Sequence, residues 1–211
     1  MTMNKNNRKE LLYRETFKLF LQRQFDGVSL HDIEEATQMT RGAIFYYHNS
    51  KLELFIGVVK HYFIEKQKVQ TTIPYLGIPF ENFLGKYVDA IELQMTNLRK
   101  AIGDVCPTSA SKAYIILGLK LREYSEALNN EYTEIRNKIL ANWVAAIQNA
   151  IVTGEIDGKT DAMVMAEIFV NVYLGQSIWD SFQSGLDITR LRYKFHYIYN
   201  LIKSEVKEPI C

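Results

Sequence analysis

Only two cysteines occur in the chain, Cys106 and Cys211, far apart and without metal-ligand spacing. One disulfide is formally possible, but two unclustered thiols in 211 residues point to a reducing, cytoplasmic protein. Proline is scarce, at 4 residues, and no Gly-rich phosphate loop or nucleophile elbow appears. The four histidines, His31, His48, His61 and His196, are scattered and do not form a metal set. An enzyme is therefore not expected, nor is a cofactor or a metal. Charge of one sign is also lacking: the net charge is +1, which excludes a protein that coats nucleic acid by charge alone. The N-terminus, MTMNKNNRKE, has positive charge but no apolar stretch behind it, so no secretory signal is expected. Nor does any run approach the roughly 18–20 apolar residues of a membrane span. The richest segment, Ala162 to Leu174, is interrupted by Glu167 and Asn171.

What is present is helical periodicity. From Asn7 to Phe25, the residues Leu12, Thr16, Leu19 and Phe20 recur on one face, and Asp26-Gly27 is expected to break that helix. Ser29 reads as an N-cap, Thr40 as a second, and Asn49 or Ser50 as a third. The third helix runs to about Gln70, with Phe55, Val58, Val59, Tyr62 and Phe63 as its apolar stripe. Pro74, Gly77 and Pro79 mark a domain boundary, so that residues 1–70 and 71–211 are expected to form two units. Five further helices follow, at about Phe80–Ile102, Thr108–Leu121, Glu126–Thr153, Asp161–Ser184 and Ile188–Glu205. Alternating strand patterns are missing, so the fold class is all-α.

Residues 29–54 hold the most informative pattern, two short helices across a tight break with a lysine opening the next helix. Such a pair suits the DNA major groove, the second helix presenting its first turn to base edges. Arg41 is placed to reach guanine or phosphate, while Gly42 and Ala43 allow close approach. Tyr46 and Tyr47 offer hydroxyls, and Lys51 joins its charge to the free N–H groups of a helix start as a phosphate grip. Ile33, Ala36, Ile44 and Leu54 are expected to form the small core beneath. Residues 1–70 carry 11 Lys and Arg against 8 Asp and Glu, a net +3, and the remainder carries 14 against 16, a net −2. The asymmetry is compatible with a DNA-facing head.

Over about Leu12 to Tyr62 the sequence resembles the TetR family of bacterial transcriptional regulators. The matching residues are Leu19-Phe20 with Phe25, Asp32-Ile33, Thr40-Arg41-Gly42-Ala43-Ile44, Phe45, Tyr47, Ser50-Lys51, Glu53 and Leu54. The resemblance implies DNA contacts at Leu30, His31, Thr40, Arg41, Gly42, Ala43, Phe45, Tyr46, Tyr47 and Lys51. Departures fall at Gln24 and Gln38, where the family has glycine, and at Glu34 for alanine, His48 for phenylalanine and Phe45 for tyrosine. A non-glycine residue in a left-handed turn costs roughly 1–2 kcal/mol.

The resemblance also implies an N-terminal three-helix helix-turn-helix domain and a C-terminal helical bundle for ligand binding and dimerisation. The helix from Asp161 to Ser184 supports dimerisation independently. Apolar residues cover most of its circumference, so it needs burial on more than one side. The last helix, through Leu191, Phe195, Ile198, Tyr199 and Ile202, is expected beside it. The partners expected are a double-stranded DNA operator, a second copy of the chain, and a hydrophobic or amphipathic small-molecule effector. No membrane is expected. Phe83, Tyr87, Met95, Tyr114, Trp143 and Tyr173 suit an apolar cavity but equally a plain core, so no effector residue is assigned. Repression is the family default, and the alternative is a helical adaptor of the same fold that binds a protein partner.

Overall fold

The computed structural model describes residues 5–103 and 110–204. Cys106, Pro107 and Cys211 lie outside the described residues, as does the side chain of Tyr114. Helix α1 (Lys5–Arg23) buries Leu12, Thr16, Leu19 and Phe20, as the spacing requires. It ends earlier than Asp26-Gly27 suggests, because Gln24 turns the chain at a left-handed φ of 59°.

Helices α2 (Leu30–Thr37) and α3 (Arg41–Phe45) follow, then α4 (Lys51–Val59). Ser29 and Asp32 form a reciprocal capping box on α2: Asp32 N–H donates to Ser29 Oγ at 3.1 Å, and Ser29 N–H to Asp32 Oδ2 at 2.7 Å. Thr40 caps α3, and Ser50 rather than Asn49 caps α4. The expected core residues Ile33, Ile44 and Leu54 are fully buried, but Ala36 is exposed. Met39, Val28 and Phe55 fill the core instead.

Beyond α4 the chain does not continue as one regular helix. A π-helical turn (Lys60–Ile64) leads into α5 (Glu65–Gln67) and a 3₁₀ turn (Lys68–Thr72). The turn lies where the helix changes neighbours: Tyr62 stacks on Phe17 of α1 at 4.8 Å, while Phe63 meets the Tyr132 ring at 5.2 Å.

The bundle comprises α6 (Phe80–Ile102), α7 (Ala110–Tyr124), α8 (Glu126–Val152), α9 (Ala162–Ser181) and α10 (Ile188–Ile202). Four of these helices meet around Trp143, which stacks on Phe169 at 4.9 Å and meets the edges of Phe83 and Phe195. Glu155, in the α8–α9 loop, caps α6 from a distance. Its carboxylate accepts the N–H groups of Phe80 and Glu81 at 2.7 and 3.1 Å and the Tyr199 hydroxyl at 2.9 Å.

Helix α9 corrects one expectation. By length and composition alone, with a mean hydropathy of 1.2, Ala162–Ser181 could cross a membrane. Its C-terminal half is nevertheless built for a polar joint. Buried Gln176 donates to Asp180 Oδ2 at 3.1 Å and to the Asp187 carbonyl at 2.9 Å, and Asp180 pairs with Arg190 at 3.4 Å. Phe169 and Ala166 belong to the core. On α10, Leu191, Phe195 and Tyr199 also point inward, leaving Tyr193, Tyr197 and Leu201 outside.

Candidate nucleic-acid interface

The α2–α3 pair is held by four devices. Thr37 Oγ1 donates back to the Ile33 carbonyl at 2.6 Å, closing α2. Gln38 then adopts φ 55°, and its side chain donates to the Glu35 carbonyl at 2.7 Å, satisfying a helix-end acceptor. Buried Met39 pins the turn, and Thr40 Oγ1 accepts the Ala43 N–H at 3.3 Å to start α3. Both departures from glycine, Gln24 and Gln38, thus sit in the left-handed region.

The expected contact residues divide by placement. His31, Thr40, Arg41, Gly42 and Tyr46 are exposed, with Tyr46 at 67%. Nothing lies within 4 Å of where a Cβ on Gly42 would sit, so this face is open. Leu30, Ala43 and Tyr47 are half-buried and pack against the hydrophobic core, and Phe45 is half-buried beside them. Tyr46 and Tyr47 meet edge to face at 5.2 Å.

Arg41 is not a free cation: its Nε donates to Glu34 Oε1 at 2.9 Å. His31 lies 3.8 Å from Glu34 and 3.5 Å from Glu35, so carboxylates border the outward face. Glu34 is the residue that departs from the family's alanine, and only the folded pair shows why that matters.

Lys51 opens α4 with its side chain directed back at the preceding loop. Its ammonium turns inward and donates to the carbonyls of Phe25 and Val28 at 3.0 and 2.8 Å, 4.1 Å above the Phe25 ring. The ammonium thereby clamps the α1–α2 loop, where the Phe25 carbonyl also accepts the Val28 N–H at 3.4 Å. Asp32 is likewise occupied. The Ser29 hydroxyl and N–H, with Arg23 beyond them at 2.8 Å, hold its carboxyl down at about 2.

Behind the head, His48 accepts or donates at 2.9 Å with the Tyr13 hydroxyl. Burial pushes the imidazole below its ordinary range and the Tyr13 phenol above its own. Gly57 makes this contact possible, since a Cβ there would lie 2.7 Å from Tyr13 Oη and 2.8 Å from His48 Cε1.

A profile of bacterial regulatory proteins of the tetR family matches residues 12–58. The match covers the helix-turn-helix head. Solved structures extend the likeness over the body at the level of fold. A TetR-family transcriptional regulator from Cytophaga hutchinsonii superposes with a TM-score of 0.65 at 18% identity, covering 98% of this chain and 100% of its own. A TetR-family regulator from Agrobacterium tumefaciens gives 0.67 at 14% identity, covering 95% and 100%. Reduced NemR from E. coli gives 0.65 at 15% identity, covering 94% and 100%. No curated protein matches the sequence at a significant level. Residues 12–58 thus match the DNA-binding head of TetR-family regulators, and the body shares the fold of solved TetR-family structures.

Among the described residues no cluster of His, Cys, Asp or Glu suits a metal. A cavity of about 470 Å³ opens in the helical body between α5, the 3₁₀ turn, α6, α8 and α9. Tyr87 and Tyr173 line it, whereas Phe83, Met95 and Trp143 are buried outside its lining. Gln67, Gln70 and Asn171, which also line it, carry no sequence pattern that announces a site.

Proposed function

We propose that the chain acts as a homodimeric, effector-responsive repressor on a near-palindromic DNA operator. The observation that carries the dimer is a continuous exposed apolar face. Val164, Ile168 and Trp179 share one side of α9 at helical spacing, and Tyr193, Tyr197 and Leu201 share one side of α10. Trp179 is 71% exposed and Leu201 69%, and a face of this size on two adjacent helices asks for a partner. A twofold pair of heads then reads half-sites about one DNA turn, ~34 Å, or a multiple apart.

In this reading residues 1–70 form the DNA-binding unit with its connecting helix, and 71–211 the effector-binding and dimerisation unit. Thr40, Arg41, Gly42 and Tyr46 lead the DNA contacts, and His31 approaches from α2. Leu30, Ala43, Phe45 and Tyr47 set the depth of the recognition helix through their packed sides. Lys51 holds the loop beneath them, and the protein works in the cytoplasm.

Sedimentation tests the dimer: wild type should run as a dimer and Trp179→Glu as a monomer. A monomeric wild type refutes it. Selection from genomic fragments at moderate salt should enrich a palindrome, with Arg41→Ala weakening its capture. If no fragment is enriched over bulk DNA, the operator reading is wrong.

A further inference from the structure

The cavity in the helical body is lined unlike a plain apolar core. Its volume of about 470 Å³ is that of a small-molecule site. Three tyrosine rings, Tyr87, Tyr132 and Tyr173, contribute to its walls, with Gln67 and Gln70 at the inner end. Gln67 and Gln70 are 9% and 2% exposed. Charge is confined to exposed positions, Arg136 and Glu167.

The inner end is a neutral hydrogen-bonding network. The Tyr87 hydroxyl donates to Gln70 Oε1 at 3.0 Å, and Gln70 Nε2 donates to Gln94 Oε1 at 2.9 Å. Gln94 Nε2 is buried and has no partner among the described residues. Burial keeps the phenols protonated, with Tyr173 pushed up to about 12, so they act as donors at neutral pH. A ligand charge carried to this depth would lose its hydration and meet no opposite charge. Flat rings, in contrast, find aromatic faces and edges on several sides.

We infer that this cavity binds an uncharged aromatic molecule bearing a carbonyl or hydroxyl group, with Gln70 and Tyr173 as its hydrogen-bonding partners. This deepens the proposed function and rests on its reading of the chain as effector-responsive. Gln67 and Gln70 also explain how binding is felt in the head. They lie on α5 and the 3₁₀ turn, the end of the segment that begins as α4 against α1. A ligand carbonyl that accepts from Gln70 Nε2 competes with Gln94, a ligand hydroxyl that donates to Gln70 Oε1 competes with Tyr87, and either biases the position of that segment. The shift in DNA affinity equals the ligand's preference between the two positions.

Calorimetry of the full chain with four probes tests the inference without DNA. Flavone and 1-naphthol are neutral, and flavone-8-carboxylate and decanoate are anionic. At least one neutral probe should bind saturably, and flavone at least tenfold more tightly than its carboxylate. Tyr173→Phe and Gln70→Leu should each weaken the neutral probe about tenfold, and Arg136→Ala less than threefold. Absence of saturable binding by both neutral probes, tighter binding of either anion, or unchanged affinity in both Tyr173→Phe and Gln70→Leu overturns the assignment. The coupling is read separately on the enriched operator. A bound neutral probe should alter DNA affinity at least threefold, and an unaltered affinity overturns the proposed link to the head. Failure of the unliganded chain to bind any operator would instead count against the regulator reading, since ligand binding is measured apart from it.

Discussion

Arg41 Nε donates to Glu34 Oε1 at 2.9 Å, so the cation that opens α3 is already shared with a carboxylate of α2. The pair is exposed, with 58% and 22% of the two side chains open to solvent. Exposed pairs of this kind are worth about 0.2–1 kcal/mol. In the proposed complex DNA must break or share the pair, and it also meets the negative charge of Glu34. Glu34→Ala is therefore expected to tighten DNA binding by about two- to fivefold. Fluorescence anisotropy on the enriched operator checks this, and unchanged or weaker binding contradicts it.

The Lys51 ammonium donates to two carbonyls of one loop. Hydrogen bonds to a charged group contribute about 1.5–3 kcal/mol. Lys51→Met should lower the stability of the protein by about that amount, seen as a fall in Tm and in the urea midpoint. The salt dependence of DNA binding by the folded fraction should stay as it was. A phosphate contact would instead lower that slope by about one and leave Tm alone.

Gln24 is held at φ 59°. Relief of a strain of roughly 1–2 kcal/mol, less about 0.5–1 kcal/mol for the greater freedom of unfolded glycine, predicts a modest gain for Gln24→Gly. Gln38→Gly should gain less, because it also loses the side-chain bond to the Glu35 carbonyl. Thermal melts of the two variants decide the order, and a loss at Gln24 would show that the turn is unstrained.

Two groups predict acid sensitivity of the head. Asp32 has its carboxyl held at about 2, below the ordinary 3.8, chiefly by the Ser29 hydroxyl and N–H. A folded value below the unfolded one means that its stabilisation is complete above about 3.8 and is lost as pH falls towards about 2. His48 is lowered mainly by burial and further by Lys9, against an opposing pull from Glu53. The folded imidazole resists protonation, so stability present above its ordinary 6.5 is lost as pH falls below that value. His48→Phe should flatten the decline of Tm between pH 7 and 5.5, and Asp32→Asn the decline below pH 4. Parallel curves for wild type and variant would refute either assignment.

Local chemistry explains what was legible in advance. Ser29, Thr40 and Ser50 each cap the helix that follows, since a hydroxyl three residues before a free N–H meets it whatever the surrounding fold. The stripes of α1 and α4 predicted their buried faces for the same reason, because periodicity is a property of the helix itself. The π-turn at Lys60–Ile64 was not legible, as it depends on Tyr62 and Phe63 finding neighbours on different helices.

The sequence by itself determined an all-helical chain, the helix-turn-helix with its likeness to the TetR family, and the capped helix starts at Ser29 and Thr40. Those features rest on interactions spanning a few residues. Tertiary structure alone decided the direction of long side chains whose partners are distant in sequence. Lys51 points inward because Phe25 and Val28 offer carbonyls across 23 to 26 residues. Glu155 caps a helix 75 residues away. Gln70 and Gln94 join across a buried seam that no spacing announces. A flexible charged or amide side chain has no preferred partner until packing removes water and leaves it one.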